Sequence, residues 1–184
     1  GTADVAVVSF NGIVASESLK IAGNKFDAAI IRYISQKYKI LIGEKTAEQV
    51  KMQLANVFNP DGTRTMVIKG RHLIKGLPVS ETVTDIDISE AVSDLVEEII
   101  ECVKKVFEKT PPELAGDIKQ NGIVLTGGGA LLGGLPELIS SRVKVPCYVA
   151  DNPLECVALG TSAAFKMSEE LLDGFEKISL YRYK

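Results

Sequence analysis

The chain has no tryptophan, a single histidine and only three cysteines. Each shortage removes a class of chemistry. His72 stands alone, which argues against a multi-histidine metal site or a Ser-His-Asp triad. Cys102, Cys147 and Cys156 are odd in number and far apart, with neither a CxxC pair nor a zinc spacing. They read as reduced, mostly buried thiols of a cytosolic protein. No apolar run reaches the ~18 residues that a membrane-spanning helix needs, and the first residues lack the basic-then-apolar pattern of a secretion signal. No run of Lys or Arg stands out and the formal net charge is −3. A nucleic-acid partner held mainly by phosphate contacts is not expected.

What is present is an ordinary globular composition. The 184 residues are 46% hydrophobic and 24% charged, with the apolar residues spread along the whole length. That is enough chain to bury a core as one large domain or two small ones. No internal repeat or low-complexity segment is visible. The chain opens on Gly1-Thr2-Ala3-Asp4 and enters a strand at once, which reads as the middle of a turn and predicts a piece cut from a longer polypeptide.

Periodicity predicts the elements. Val5 to Phe10 and Ile13 to Leu19 are strands joined by the hairpin signal Asn11-Gly12. Phe26, Ile30, Ile31 and Ile34 predict a helix from about Asn24 to Tyr38. Thr46-Ala47-Glu48-Gln49 reads as a capping box opening a short helix with Val50, Leu54 and Val57 on its apolar side. Asn59-Pro60-Asp61-Gly62 is a turn, and strands follow at Thr65–Lys69 and Val79–Ile86. Asp87 and Glu90 suggest a second cap. The stripe Ile88, Val92, Leu95, Ile99, Val103 and Val106 then predicts the longest helix, which must stop before Pro111-Pro112. A short helix over Glu113–Gln120, a buried parallel strand over Gly122–Thr126, a helix over Leu131–Arg142, a strand over Pro146–Ala150 and a helix from Leu154 to Met167 complete the pattern. The class is α/β, a mixed sheet covered by helices, with residues 43–86 interrupting it as an insert.

Three segments can carry chemistry. In Leu125-Thr126-Gly127-Gly128-Gly129-Ala130-Leu131-Leu132 a buried strand ends in three glycines and enters a helix. Glycines let backbone approach a ligand, and the N–H groups that follow suit a phosphate or a sugar. The segment is neither a Walker A loop nor a Rossmann fingerprint, and a tight turn without a ligand remains open. In Gly1-Thr2-Ala3-Asp4, backbone N–H and hydroxyl groups can meet phosphates, and Asp4 can hold magnesium through water; a turn capped by Asp4 is the plainer alternative. Glu48 and Lys51 lie three apart on a helix, able to grip a ribose hydroxyl and a base edge, or else to form a solvated ion pair.

Together these segments carry a resemblance to the actin / DnaK-type chaperone / sugar kinase ATPase superfamily, and within it to the MreB and Mbl family. Gly1-Thr2-Ala3-Asp4-Val5-Ala6-Val7 resembles the end of that family's second phosphate loop. Ile21-Ala22-Gly23-Asn24-Lys25-Phe26-Asp27-Ala28-Ala29-Ile30 is similar to A-G-D-x-x-D-x-A-I, and Leu41-Ile42-Gly43-Glu44-Lys45-Thr46-Ala47-Glu48 to L-I-G-E-R-T-A-E. Pro111-Pro112-Glu113-Leu114-Ala115, the triple-glycine segment and Asp151-Asn152-Pro153-Leu154-Glu155-Cys156-Val157-Ala158 resemble the family nearly letter for letter. Asn24 and Lys25 depart from it, standing where the family often has acidic residues.

The resemblance, which runs from residue 1 to about 167, implies the C-terminal half of an ATP- and Mg2+-dependent filament protein. Gly1 and Thr2 would meet the β- and γ-phosphates, and Asp4 the metal. Glu48, Gln49, Val50 and Lys51 would line the adenosine pocket, with Gly127, Gly128, Gly129, Ala130 and Leu131 on the adenosine and phosphate side. Residues 1–42 and 87–167 would form an RNase H-like subdomain IIA whose first strand is truncated, residues 43–86 an inserted subdomain IIB, and residues 168–184 a tail. The whole protein would be a slow cytoplasmic ATPase that polymerises head to tail and lies at the inner face of the plasma membrane through its N-terminal half. It would serve rod shape and wall synthesis alongside cell-shape proteins, and this half alone would not hydrolyse nucleotide. A chaperone or sugar kinase half, or a non-catalytic interaction module on the same fold, is the alternative.

Overall fold

A computed structural model describes residues 1–9 and 12–166. Strands β1 (Ala3–Ser9) and β2 (Gly12–Leu19) pair antiparallel from Ala3↔Leu19 to Ser9↔Gly12, with an irregularity between Val7 and Val8. Gly12 has the positive φ of 113° expected of the hairpin, while Asn11 and the tail 168–184 lie outside the described residues.

Helix α1 (Gly23–Tyr38) buries Phe26, Ile30 and Ile34, one residue per turn. Lys39 ends it in the left-handed region, and β3 (Ile40–Leu41) follows. Helix α2 (Glu44–Leu54) starts earlier than its expected cap. Gly43 is the N-cap, no side chain caps it, and Thr46 lies inside the first turn. Strands β4 (Thr65–His72) and β5 (Pro78–Thr84) join β3 in a three-stranded antiparallel sheet, order β3-β4-β5. The expected boundary at residues 42/43 therefore cuts through a packing unit. β3 belongs to this small sheet, and α1 lies along α2.

Helix α3 (Asp85–Lys109) is the longest. Its cap is one turn earlier than expected: Thr84 accepts from the Asp87 amide while the Asp87 carboxylate accepts from the Thr84 amide, so Glu90 has no part in the box. Ile88, Val92, Val96, Ile100, Val103 and Val106 are buried, whereas Leu95 and Ile99 are partly buried at its margin. The helix ends as Thr110 Oγ1 donates to the Val106 carbonyl at 2.7 Å, ahead of the two prolines.

Helix α4 (Pro112–Asn121) leads into β6 (Ile123–Leu125), which pairs parallel with β7 (Cys147–Val149). Between them the expected single helix is two pieces, a 3-10 turn at Gly128–Leu131 and α5 (Leu135–Val143), broken at Gly133-Gly134. Helix α6 (Cys156–Lys166) starts two residues after the expected Leu154, behind a turn. Among the described residues β1–β2 and β6–β7 are separate ladders, not one mixed sheet. The first rests on α3; the second packs on α5, which itself touches α3. One core cluster runs through α1, α2, α3, the small sheet and α5.

Candidate functional site

Asp4 is set by strand register. It pairs with Ser18 across β1–β2, and the Ser18 hydroxyl donates to Oδ1 at 2.5 Å while Thr2 donates to Oδ2 at 2.8 Å. Those two hydroxyls hold the exposed carboxyl below its usual range, so it stays charged. Among the described residues no three His, Cys, Asp or Glu side chains cluster to cage a metal. A single ionised carboxylate held by hydroxyls fits a hydrated magnesium ion shared with a phosphate, since Mg2+ keeps several waters and needs only one or two carboxylates.

Gly1 lies against Ala22, the N-cap of α1; a Cβ at Gly1 would stand 3.2 Å from the Ala22 Cβ. The next residue meets α2. Lys51 Nζ stands 3.5 Å from the Gly23 carbonyl and 2.8 Å from Asp27 Oδ1. The expected pairing of Lys51 with Glu48 is thus replaced by a pairing with α1. Glu48 and Gln49 are exposed on α2, while Val50 is fully buried. The Val50 side chain anchors α2 in the core and cannot line a pocket, as its apolar character at helical spacing from Ala47 and Leu54 already indicates.

Just beyond the C-terminal end of α2 the chain meets Gly133, one residue past the triple-glycine segment. The Val57 amide donates to the Gly133 carbonyl at 2.8 Å, and Asn56 bridges to Gly133. Upstream, Gly127 has φ +79° and its amide donates to the Pro153 carbonyl at 2.7 Å, so that amide is spent within the chain. Gly128 and Gly129 are exposed at the start of the 3-10 turn, where the first amides have no acceptor inside the turn. Ala130 is buried beneath them and Leu131 is exposed. Leu131 shares an open hollow of about 210 Å³ with Asn152, Pro153, Leu154 and Glu155.

The contacts lie at one end of α2: Lys51 in its last turn reaches Gly23 beside the Ala22 on which Gly1 packs, and Asn56 and Val57 just past the helix hold Gly133, two residues beyond Leu131. Asp27 is the residue that sequence reading left out. It stands at the second aspartate position of the A-G-D-x-x-D pattern, where Asn24 fills the first, but its partner lies on a different helix.

The family described as MreB/Mbl protein matches residues 1–173. The chain is 45% identical over 178 residues to the cell shape-determining protein Mbl of Bacillus subtilis, covering 97% of this chain and 51% of that protein. It spans, that is, about half the length of the curated relative. A crystal structure of MreB 5 of Spiroplasma citri bound to AMPPNP superposes with a TM-score of 0.88 at 37% identity, over 95% of this chain and 52% of that one. The MamK double helical filament shares the fold at a TM-score of 0.68 and 23% identity, over 84% of this chain and 48% of its own. An actin-like α/β fold and a match of this extent carry one conclusion: the chain belongs to the MreB/Mbl family.

Proposed function

We propose that this chain supplies one wall of an adenine-nucleotide cleft in a cell-shape-determining, actin-like filament protein. The observation that carries the reading is the end of α2: Lys51 in its last turn reaches Gly23 at the start of α1, next to the Ala22 on which Gly1 packs, and Asn56 and Val57 just beyond the helix hold Gly133, four residues past the exposed Gly129. Three segments separated in sequence are brought near one another through the last turn of α2 and the chain just after it. The AMPPNP bound to MreB 5 supports a nucleotide at that fold, and Mg2+ would be held between phosphate and Asp4. Thr2 and Gly1 would face the phosphates, Glu48, Gln49 and Lys51 the adenosine, and Gly128, Gly129 and Leu131 the boundary between them.

In this reading ATP neutralised by magnesium and backbone amides controls how subunits meet head to tail, and slow hydrolysis reverses it. The residues assigned here make one wall only, so the chain by itself would not hydrolyse ATP. Subdomain IIB is taken as the unit α1–β5, subdomain IIA as the remainder. The whole protein would be cytoplasmic, reach the inner membrane face through its other half, and act with cell-shape and wall-synthesis proteins. Family membership weighs against the chaperone and sugar kinase alternatives.

Gly128 offers a clean test. A Cβ there has Leu154 Cδ2 at the ordinary contact distance of 3.6 Å and Gly128 is exposed, so Gly128→Asp adds charge at a position that accepts a side chain's first carbon. The full-length protein is expected to sediment with ATP and magnesium, and the variant to fold but stay in the supernatant. Polymer formed equally by both would remove the glycine segment from the site. No polymer with any nucleotide, together with hydrolysis stimulated by a small substrate or peptide, would favour a kinase or chaperone.

A further inference from the structure

The contact between Lys51 and Asp27 is not a solvated surface pair. Nζ lies 2.8 Å from Oδ1, and the two side chains are only 17% and 15% exposed. Taking two charges out of water is expensive, and apolar side chains would hold two helices together as well or better. The pair also has an unfinished geometry. Asp27 Oδ1 is buried yet makes no aligned hydrogen bond, so charge alone draws the ammonium to it. An ammonium carries three donors. Among the described residues its one backbone acceptor is the Gly23 carbonyl, at the long distance of 3.5 Å. The pair sits at the first turns of α1, next to Ala22 and the Gly1 that packs on it.

A lone lysine in such a place would be a point charge for phosphate. A carboxylate at 2.8 Å cancels most of that field while leaving the donors directional. We infer that Asp27 is a positioning residue: it fixes the Lys51 ammonium between α1 and α2 and neutralises it, so that the pair receives an uncharged polar group, a sugar hydroxyl or a base nitrogen, and not a phosphate. The inference rests on the nucleotide reading and deepens it. Phosphate is left to Gly1, Thr2 and the metal at Asp4; the nucleoside end goes to the neutral pair.

Two ligands separate the ends of the nucleotide. Adenosine carries no charge, and inorganic tripolyphosphate carries only charge. Calorimetric titration of the full-length protein with each should show Asp27→Asn losing about tenfold in adenosine affinity, the size expected when a charge-assisted bond loses its geometry. The same variant should gain tripolyphosphate affinity, with a steeper dependence on salt. Asp27→Glu should recover part of the adenosine affinity. Lys51→Gln should lose adenosine without the gain for tripolyphosphate, and it gives the same comparison if the Asn variant fails to fold. A loss of both ligands in parallel would mean a structural role only and overturn the inference. Adenosine binding unchanged in Asp27→Asn and Lys51→Gln would overturn it too while leaving the nucleotide reading intact. A wild-type protein that binds neither ligand would overturn both.

Discussion

A methyl group at position 134 has nowhere to go. Gly134 sits at φ +76°, and a Cβ there would lie 2.6 Å from Asn56 Oδ1 and 2.7 Å from the Phe58 amide. Left-handed strain and overpacking each cost about 1–3 kcal/mol. Gly134→Ala is therefore expected to lower unfolding stability by about 2 kcal/mol or more in a urea titration. Gly129→Ala, where nothing lies within 4 Å of the added carbon, should leave the midpoint in place. Two neighbouring glycines thus have different reasons to be glycine. One fits the chain against the segment that follows α2, and the other leaves a surface open. The sequence shows the run of glycines but not this division, because what distinguishes them is Asn56 and Phe58 arriving from another element. Asp27 escaped notice for the same reason. Val50 shows the opposite case: its burial was legible from helical spacing alone, and the resemblance obscured it by grouping it with the polar residues beside it.

The N-terminus of α3 shows how elements lock. Asp87 closes the capping box with Thr84 and also takes the Lys37 ammonium at 2.6 Å and the Tyr38 hydroxyl at 2.8 Å, both from the end of α1. Burial pushes its carboxyl up, but Lys37, Thr84 and Tyr38 outweigh that and hold it below the ordinary 3.8. In turn, burial and the bond to Asp87 push the Tyr38 phenol up to about 12. A carboxyl depressed in the folded state contributes stability that is complete above its unfolded value and is lost as pH falls through the folded one. Asp87→Asn should cost about 1–2 kcal/mol at neutral pH, the worth of a lost cap. In urea titrations at a series of pH values the gap between variant and wild type should narrow once pH drops below the ordinary carboxylate range. The helix itself was readable from its stripe. Its cap was misplaced by a turn because Thr84-x-x-Asp87 and Asp87-x-x-Glu90 have the same spacing, and the arbiters Lys37 and Tyr38 lie some fifty residues earlier.

Across the whole molecule, α3 is the shared spine. The β1–β2 hairpin, α1, α2, β5 and α5 all touch it, and Val92, Val96 and Ile100 are at most 2% exposed. Helix α6 is the counterweight, with Val157 74% and Leu159 57% exposed. Hydrogen exchange on this chain should find the amides of Val92–Val103 slowest and those of α6 among the fastest, since protection follows buried contacts. Equal protection in both would mean that α6 has found a cover the described residues do not provide. The ordering of strands and helices along the chain was plain from periodicity, whereas the separation of the two ladders was not: the apolar run Ile123–Leu125 reads as a buried strand, yet Val124 is 50% exposed, and among the described residues β6 has β7 as its one ladder partner. Helix α2 adds a last consequence. Lys51, held to Asp27, stands three residues before Leu54, a rise of only ~4.5 Å at ~1.5 Å per residue, and Asn56 and Val57 just past the helix are held to Gly133. That last turn is a ruler. One residue added between Lys51 and Leu54 would swing Lys51 by ~100° relative to the glycine dock, so the helix can vary in letter but not in count.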